Sequence, residues 1–277
     1  MEQVVVVGVD SIAGHAIARE IHQSSSVRTF KISELSSAVP AAVADADLLI
    51  FCGGAASSSW DPGFGDLTAE EDWLDLCLAK CSPDCRVVFI SSDAVFDGPW
   101  VFHDDDSAAV STDGTAARIQ NFEARVAARA DSLIVRTNVL GLCATEHAFT
   151  RRVVDRLETG QCEHLPGRSY ATPIAASDFA ALLVKLLDHR AVGFINVAGA
   201  ERTSPWRLGT TLASALGHSS DALLPEESAP VVEHSLRCQR LRQEFGLSGP
   251  VLRQTVDCLV DELQSAQQSN ELLPAAA

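Results

Sequence analysis

Six short, almost unbroken apolar runs recur along the chain, at residues 4–7, 27–30, 48–51, 87–91, 133–136 and 194–197. Runs too apolar to alternate suit strands covered on both faces. Between them lie stretches with helical periodicity, at 13–22, 69–80, 115–130, 147–158, 175–187 and 205–216, with a last one at 251–263. Such alternation joins parallel strands through crossover helices. The predicted class is therefore α/β, a Rossmann-type doubly wound parallel sheet. The helix from Thr115 sets Ile119, Phe122 and Val126 at spacings of three and four, so that stripe faces the core.

Segments 143–173 and 201–249 do not continue the rhythm and read as insertions over the carboxyl edge of the sheet, where open α/β folds bind ligands. The predicted organisation is a dinucleotide-binding domain of residues 1–142 plus 175–200, a small C-terminal substrate lobe of 143–174 plus 201–265, and a flexible tail of 266–277.

A formal charge of −16 sets such a surface against nucleic acid and anionic membranes, and neither is an expected partner. No run approaches the length of a bilayer span, and the apolar stretch at 3–7 is too short for a signal peptide. The eight cysteines, spread through predicted strands and helices, read as reduced thiols of a cytoplasmic protein. Cys77, Cys81 and Cys85 recur every fourth residue, but Ser82-Pro83-Asp84 breaks the helix before the third, so small buried residues are expected there and no metal. His103-Asp104-Asp105-Asp106 reads as a solvated acidic loop.

Gly8-Val9-Asp10-Ser11-Ile12-Ala13-Gly14 follows the first strand and opens the first helix. A glycine-rich turn in this context lets backbone N–H groups and the helix N-terminus approach a pyrophosphate, which makes Gly8, Ser11, Ile12 and Gly14 candidate dinucleotide ligands. Ser11 stands where a third glycine is usual. Its side chain either crowds the cofactor or bonds a phosphate, and a structural turn without a ligand is the alternative. After the second strand, where an acid commonly holds the ribose 2′-hydroxyl, the chain has Arg28 and Lys31, which lean toward the 2′-phosphate of NADP over NAD.

Ile90-Ser91-Ser92-Asp93-Ala94-Val95-Phe96-Asp97-Gly98 resembles the Ser-Thr-Asp-Tyr-Val-Phe-Asp-Gly signature of the dTDP-4-dehydrorhamnose reductase family, extended short-chain dehydrogenases. Matches follow in order: Leu133 to Gly141 resembles the family's strand ending in Arg-Thr, and Arg168 to Ile174 its Gly-x-Pro-Thr segment. Ala176 to Ala180 resembles the helix behind that segment, Gly193 to Gly199 its Gly-x-Tyr-His-Val-Ala-Gly strand, and Glu233 to Leu241 its C-terminal Leu-Asp-Thr region. The resemblance spans residues 3 to 263. It implies hydride transfer between a nicotinamide and the keto group of a nucleotide sugar, with Ser92 orienting the carbonyl and Ser91 and Gly53 beside the cofactor.

The resemblance also exposes a loss. The family protonates the alkoxide with a tyrosine whose pKa is lowered by a lysine four residues on, a need set by the tyrosine's ordinary pKa of about 10. Anchored on Glu123, those positions hold Thr115 and Ile119; shifted by two, Asp113 and Ala117. Arg118 is next to the lysine position, but arginine does not exchange protons near neutrality. The chain's single tyrosine, Tyr170, has Ile174 four residues later. Asp113 and Tyr170 are the replacement proton donors to be weighed. The family's Asn-Ala-Ala-Ala after the third strand is also replaced, by Phe51-Cys52-Gly53-Gly54.

Three readings follow: a dinucleotide-binding protein without the standard chemistry, acting in regulation like the β subunit of methionine adenosyltransferase, which has this fold; an oxidoreductase on a nucleotide sugar with an unconventional proton donor; or a cleft reused for something else. Joint loss of the tyrosine, lysine, central glycine and asparagine favours the first. Expected ligands are NADP or NAD and a nucleotide sugar or protein partner; a homodimer is compatible with the fold class.

Overall fold

The computed structural model describes residues 3–22, 26–34, 38–61, 67–98, 100–108, 111–142, 148–228 and 230–268. The six apolar runs are β1 (Gln3–Val7), β2 (Ser26–Phe30), β3 (Leu48–Phe51), β4 (Arg86–Ser92), β5 (Ser132–Thr137) and β10 (Gly193–Asn196). They form one all-parallel sheet in the order β2-β1-β3-β4-β5-β10. The order reverses direction between β1 and β3, which places the ligand crevice of an open α/β sheet at their carboxyl ends.

The strands are apolar throughout because both faces are covered. Val4 and Val6 of β1 join one core with α1 (Ile12–Ile21) and α6 (Ala176–Asp188), through Ile17, Ile21, Phe179 and Leu183. Val5 and Val7 point into a second core with α2 (Ala38–Ala44), α3 (Thr68–Lys80) and α4 (Gly114–Ala127). The stripe of Ile119, Phe122 and Val126 on α4 lies in that second core, as its spacing predicts.

A third core belongs to a smaller layer. It packs α5 (Phe149–Thr159), α7 (Pro205–Leu216) and α9 (Leu252–Gln268) against β7 (Glu163–Pro166), which pairs in parallel with β11 (Leu223–Glu226). Two shorter parallel pairs stitch this layer to the sheet edge: β6 (Val139–Leu140) with β9 (Ile174–Ala175), and β8 (Ser169–Tyr170) with β12 (Val232–Glu233).

Four features depart from expectation. Helix α2 lacked a recognisable pattern, since it is short and carries Pro40; proline is tolerated in a first turn, where its missing N–H has no helical partner. The predicted small lobe of 201–265 includes α8 (Gln239–Gln243), yet Leu236 and Leu241 pack into the sheet's two cores. Helix α9 runs to Gln268, past the predicted stop at 263, because Gln, Ser and Ala continue a helix without a breaker; residues 269–277 of the expected tail lie outside the described residues.

The acidic loop, finally, is solvated only in part: Asp106 is exposed and Asp104 half-buried, but the other two residues are buried. Asp105 is buried and accepts N–H bonds from Asn196 (2.6 Å), Gln239 (3.1 Å) and Arg240 (2.9 Å), so it ties the β4 loop to β10 and α8. His103 is buried with its ring stacked on Phe96, centroids 4.4 Å apart. Among the described residues no cluster of His, Cys, Asp or Glu is arranged to hold a metal, and no helix is long and apolar enough to cross a membrane. Cys77, Cys81 and Cys85 are free thiols buried in the core under α3.

Candidate functional site

The glycine-rich turn has the expected place and an unexpected internal logic. Gly8 has φ +89°, and a Cβ there would overlap the carbonyl oxygen of Cys52 at the end of β3. A Cβ on Gly14 would overlap the carbonyl oxygen of Gly8. Both glycines are thus required by backbone packing between β1, α1 and the β3 loop. Ser11 has partners within the turn itself. As N-cap of α1 its hydroxyl donates to Gly8 O (2.7 Å) and accepts from Gly14 N (3.0 Å). That cap satisfies one of the helix's first N–H groups and leaves those of Ile12 and Ala13, the positive end of the dipole, toward the crevice.

At the end of β2 the predicted cations separate. Arg28 is exposed in mid-strand opposite Val5, two residues before Phe30, which is opposite Val7. Only Lys31, also exposed, stands past the strand at the crevice. A carboxylate reaches the same loop: Asp10 accepts N–H bonds from Ile32 (2.8 Å) and Ser33 (3.0 Å). Another reaches the loop after β3, where Glu70 of α3 accepts from Gly54 N (2.6 Å) and a Cβ on Gly53 would overlap its Oε2. Gly53 therefore makes room for the chain's own side chain. Burial pushes the Cys52 thiol far up, which keeps it neutral beside Phe51, the position at which the family resembled has asparagine.

Helix α4 offers no proton relay at the family's positions. Ile119 is fully buried in the core. Asp113, exposed, is the helix N-cap and accepts from Thr115 N (2.8 Å) and Ala116 N (3.3 Å). Tyr170 stands on another element, β8. Its ring packs beneath the Arg202 guanidinium at 3.4 Å, and Arg202 is in turn paired with Glu233. Arg202 and Glu233 also line a cavity of about 540 Å³ together with Asp97, Gly98, Val101 and Val231. Asp113 and Tyr170 each already have a structural partner.

What the fold does assemble lies at the carboxyl ends of β4 and β5. Ser91 donates to Glu123 of α4 (2.6 Å), and Glu123 holds Arg136 in a fork of 2.9 and 2.8 Å. All three are buried, with the Arg136 guanidinium between the rings of Phe96 (4.9 Å) and Phe194 (4.7 Å). Ser91 is thereby engaged in a structural network.

One residue on, Ser92 accepts from Ala94 N (3.1 Å) and donates to Asp93 (3.3 Å). Asp93 also accepts from Asn138 (2.8 Å), which donates to Ser59 (2.9 Å) and accepts from Ser58 (2.8 Å). Burial pushes the Asp93 carboxyl above the usual carboxylate range, opposed by nearby His234 and by hydrogen bonds from Asn138, Ser59 and Ser92. Such a carboxyl exchanges a proton closer to neutrality than an exposed one. His234 and Ser59 are its half-buried neighbours on the outer side. Asp93 and Asn138 stood inside recognised motifs; the only cue to their role was the rarity of an unpaired polar side chain in an apolar strand end.

Comparison with solved structures establishes the fold. A dTDP-4-dehydrorhamnose reductase from Bacillus anthracis, solved with NADP, superposes with a TM-score of 0.80 at 16% identity over 94% of this chain and 99% of that one. A dTDP-4-dehydrorhamnose reductase from Clostridium acetobutylicum gives 0.75 at 16% identity over 95% and 99%. A dTDP-glucose 4,6-dehydratase from Bacillus anthracis, solved with NAD, gives 0.77 at 12% identity over 97% and 98%. No family model matches the sequence, and no curated protein does. The chain has the fold of the extended short-chain dehydrogenases, and the resemblance read from its motifs is a resemblance of fold.

Proposed function

We propose that this chain is an NAD(P)-binding protein of the extended short-chain dehydrogenase fold that works by binding, in regulation of a partner or a pathway, without tyrosine–lysine hydride-transfer chemistry. One observation carries the reading: the lysine position of α4 is Ile119, sealed in the core, and Asp113 on the same helix is engaged as its cap. The turn remains suited to a dinucleotide. Its glycines bring β1 and the start of α1 together, and the N–H groups of Ile12 and Ala13 would hold the pyrophosphate. A bound nicotinamide would supply hydride; this chain's residues would bind and orient it.

The test is the melting temperature with and without NADH and NADPH, beside a turnover assay on carbonyl compounds. A ligand held only by the native state stabilises by about 2.7 kcal/mol at a hundredfold excess over Kd. A rise with no turnover is expected. No shift with either nucleotide at millimolar concentration would refute the reading.

A second reading, an oxidoreductase on a nucleotide sugar with an unconventional donor, is favoured by Asp93. It is a buried carboxyl raised by desolvation, one residue from Ser92 at the position that orients the carbonyl in the family resembled. Turnover abolished by Asp93→Asn and untouched by Tyr170→Phe would establish it in place of the first.

A further inference from the structure

We infer that Cys81 and Cys85 form a redox-active pair, closed to a disulfide by a peroxide and reopened by a small dithiol. This goes beyond the dinucleotide-binding reading and does not depend on it. The pair stands where α3 ends and β4 begins, at the amino edge of the sheet and opposite the crevice.

The local fold sets the two sulfurs against each other. Cys81 is the C-cap of α3 and leaves the helix extended (φ −67°, ψ 144°), with its N–H still on Cys77 O (2.9 Å). The chain then turns through Ser82-Pro83-Asp84, closed by a bond from Cys85 N to Ser82 O (3.0 Å), and enters β4. Arg129, beyond α4, clamps that turn: its Nη2 donates to the carbonyl oxygens of Ser82 (2.6 Å), Cys85 (3.3 Å) and Pro83 (3.4 Å). So held, the Cys85 thiol hydrogen-bonds the Cys81 sulfur. Cys77 is the wrong partner. Residues at i and i+4 on a regular helix keep their Cβ atoms about 5–6 Å apart, whereas a disulfide needs about 3.5–4.5 Å.

The surroundings divide the work between the two thiols. The hydrogen bond from Cys85 and the Arg129 guanidinium pull the Cys81 thiol down to about 7 against the cost of burial, so much of it is thiolate at neutral pH. Cys85 is pushed the other way, by its bond to Cys81 and by burial, and stays a thiol. Burial pushes Cys77 up to about 12. The Cys81 thiolate attacks one oxygen of hydrogen peroxide and the O–O bond breaks. The departing oxygen takes up the proton that Cys81 released and leaves as water, and Cys81 becomes a sulfenic acid. The Cys85 sulfur then attacks Cys81 Sγ; the S–S bond forms, the S–O bond breaks, and hydroxide leaves with the Cys85 proton as a second water. Two thiols have lost two electrons and two protons, and the peroxide is reduced to two waters. Hydrogen peroxide is small enough to reach a residue only 7% exposed.

The test treats the full chain with hydrogen peroxide, blocks the remaining thiols with iodoacetamide and maps the peptides by mass spectrometry. Cys162→Ser is carried throughout, because Cys162 is an exposed thiol. The expected product is a Cys81–Cys85 crosslink, lighter by two hydrogens, that dithiothreitol removes. Before oxidation Cys81 should be alkylated about tenfold faster than Cys77 at neutral pH, with its midpoint at about 7. Cys85→Ser should stop the oxidation at a sulfenic acid on Cys81 that dimedone traps, and Cys77→Ser should leave the crosslink unchanged. Thermal melts by circular dichroism identify a variant that has lost its fold, and the map of the chain with both cysteines in place decides without them. A Cys77–Cys81 crosslink, a crosslink that forms only after denaturation, or a Cys81 alkylated no faster than Cys77 overturns the inference.

Discussion

Replacing Glu123 by glutamine removes the one carboxylate that neutralises Arg136, and its cost can be worked from the geometry. Both residues are nearly inaccessible, with side chains 4% and 6% exposed, so water cannot replace the lost partner. Glu123 accepts three hydrogen bonds, from Ser91 Oγ, Arg136 Nε and Arg136 Nη2. Breaking a buried pair by removing one partner typically costs about 3–5 kcal/mol, because the surviving charge remains buried. The rings of Phe96 and Phe194 on either side of the guanidinium offset part of this, since each cation–π contact contributes about 0.5–2 kcal/mol.

The expected loss for Glu123→Gln is therefore near the lower end, about 3 kcal/mol. At about 2–4 °C per kcal/mol this is a fall in Tm of roughly 6–12 °C. Thermal melts followed by circular dichroism read it directly. The double variant Glu123→Leu, Arg136→Met should be less destabilised than either single change, since it leaves no uncompensated charge. A fall under about 2 °C for Glu123→Gln, or a double variant as unstable as the sum of the singles, would refute the argument that this pair anchors α4 to the sheet.

Two other predictions concern backbone and pH. Gly8→Ala should cost more than about 3 kcal/mol, combining a left-handed alanine with overlap against Cys52 O. Gly160→Ala, at φ +68° with open space around it, should cost only the strain of about 1–2 kcal/mol, and comparable Tm losses in the two would show that the β1–β3 approach is not what requires Gly8. Burial pushes the Asp61 carboxyl up to about 6 against N–H bonds from Phe149 and Ser58 and the charge of Arg152. Because the folded state holds that proton more tightly than the unfolded chain, stability falls as pH rises from about 4 to about 6, by about 3 kcal/mol. Asp61→Asn should flatten that slope in pH-dependent melts, and an unchanged slope would exclude Asp61 as its source.

Helix and strand are local properties, and so they were readable in the sequence. Apolar runs such as 48–51 and 87–91 announce strands covered on both faces, and the Ile119–Phe122–Val126 spacing announces which face of α4 is buried. The motif order from Ser91 to Leu241 carried the fold as far as its family of shapes. The sequence also determined that tyrosine and lysine are missing from α4, since no packing can create a residue that is not encoded.

Only the tertiary structure decided what the polar residues do. Gly53 had a plausible ligand role as a letter, and it is the Glu70 side chain that folding brings against it. The Asp10 carboxylate reaches the loop after the second strand, 22 residues from the Ile32 N–H that it accepts. The Asp93–Asn138 pair spans 45 residues, and the Asp105–Arg240 bond 135. Periodicity reports the environment of a residue along its own helix or strand, whereas a hydrogen-bond partner is fixed by which elements the sheet order sets side by side. That order is a property of the whole core.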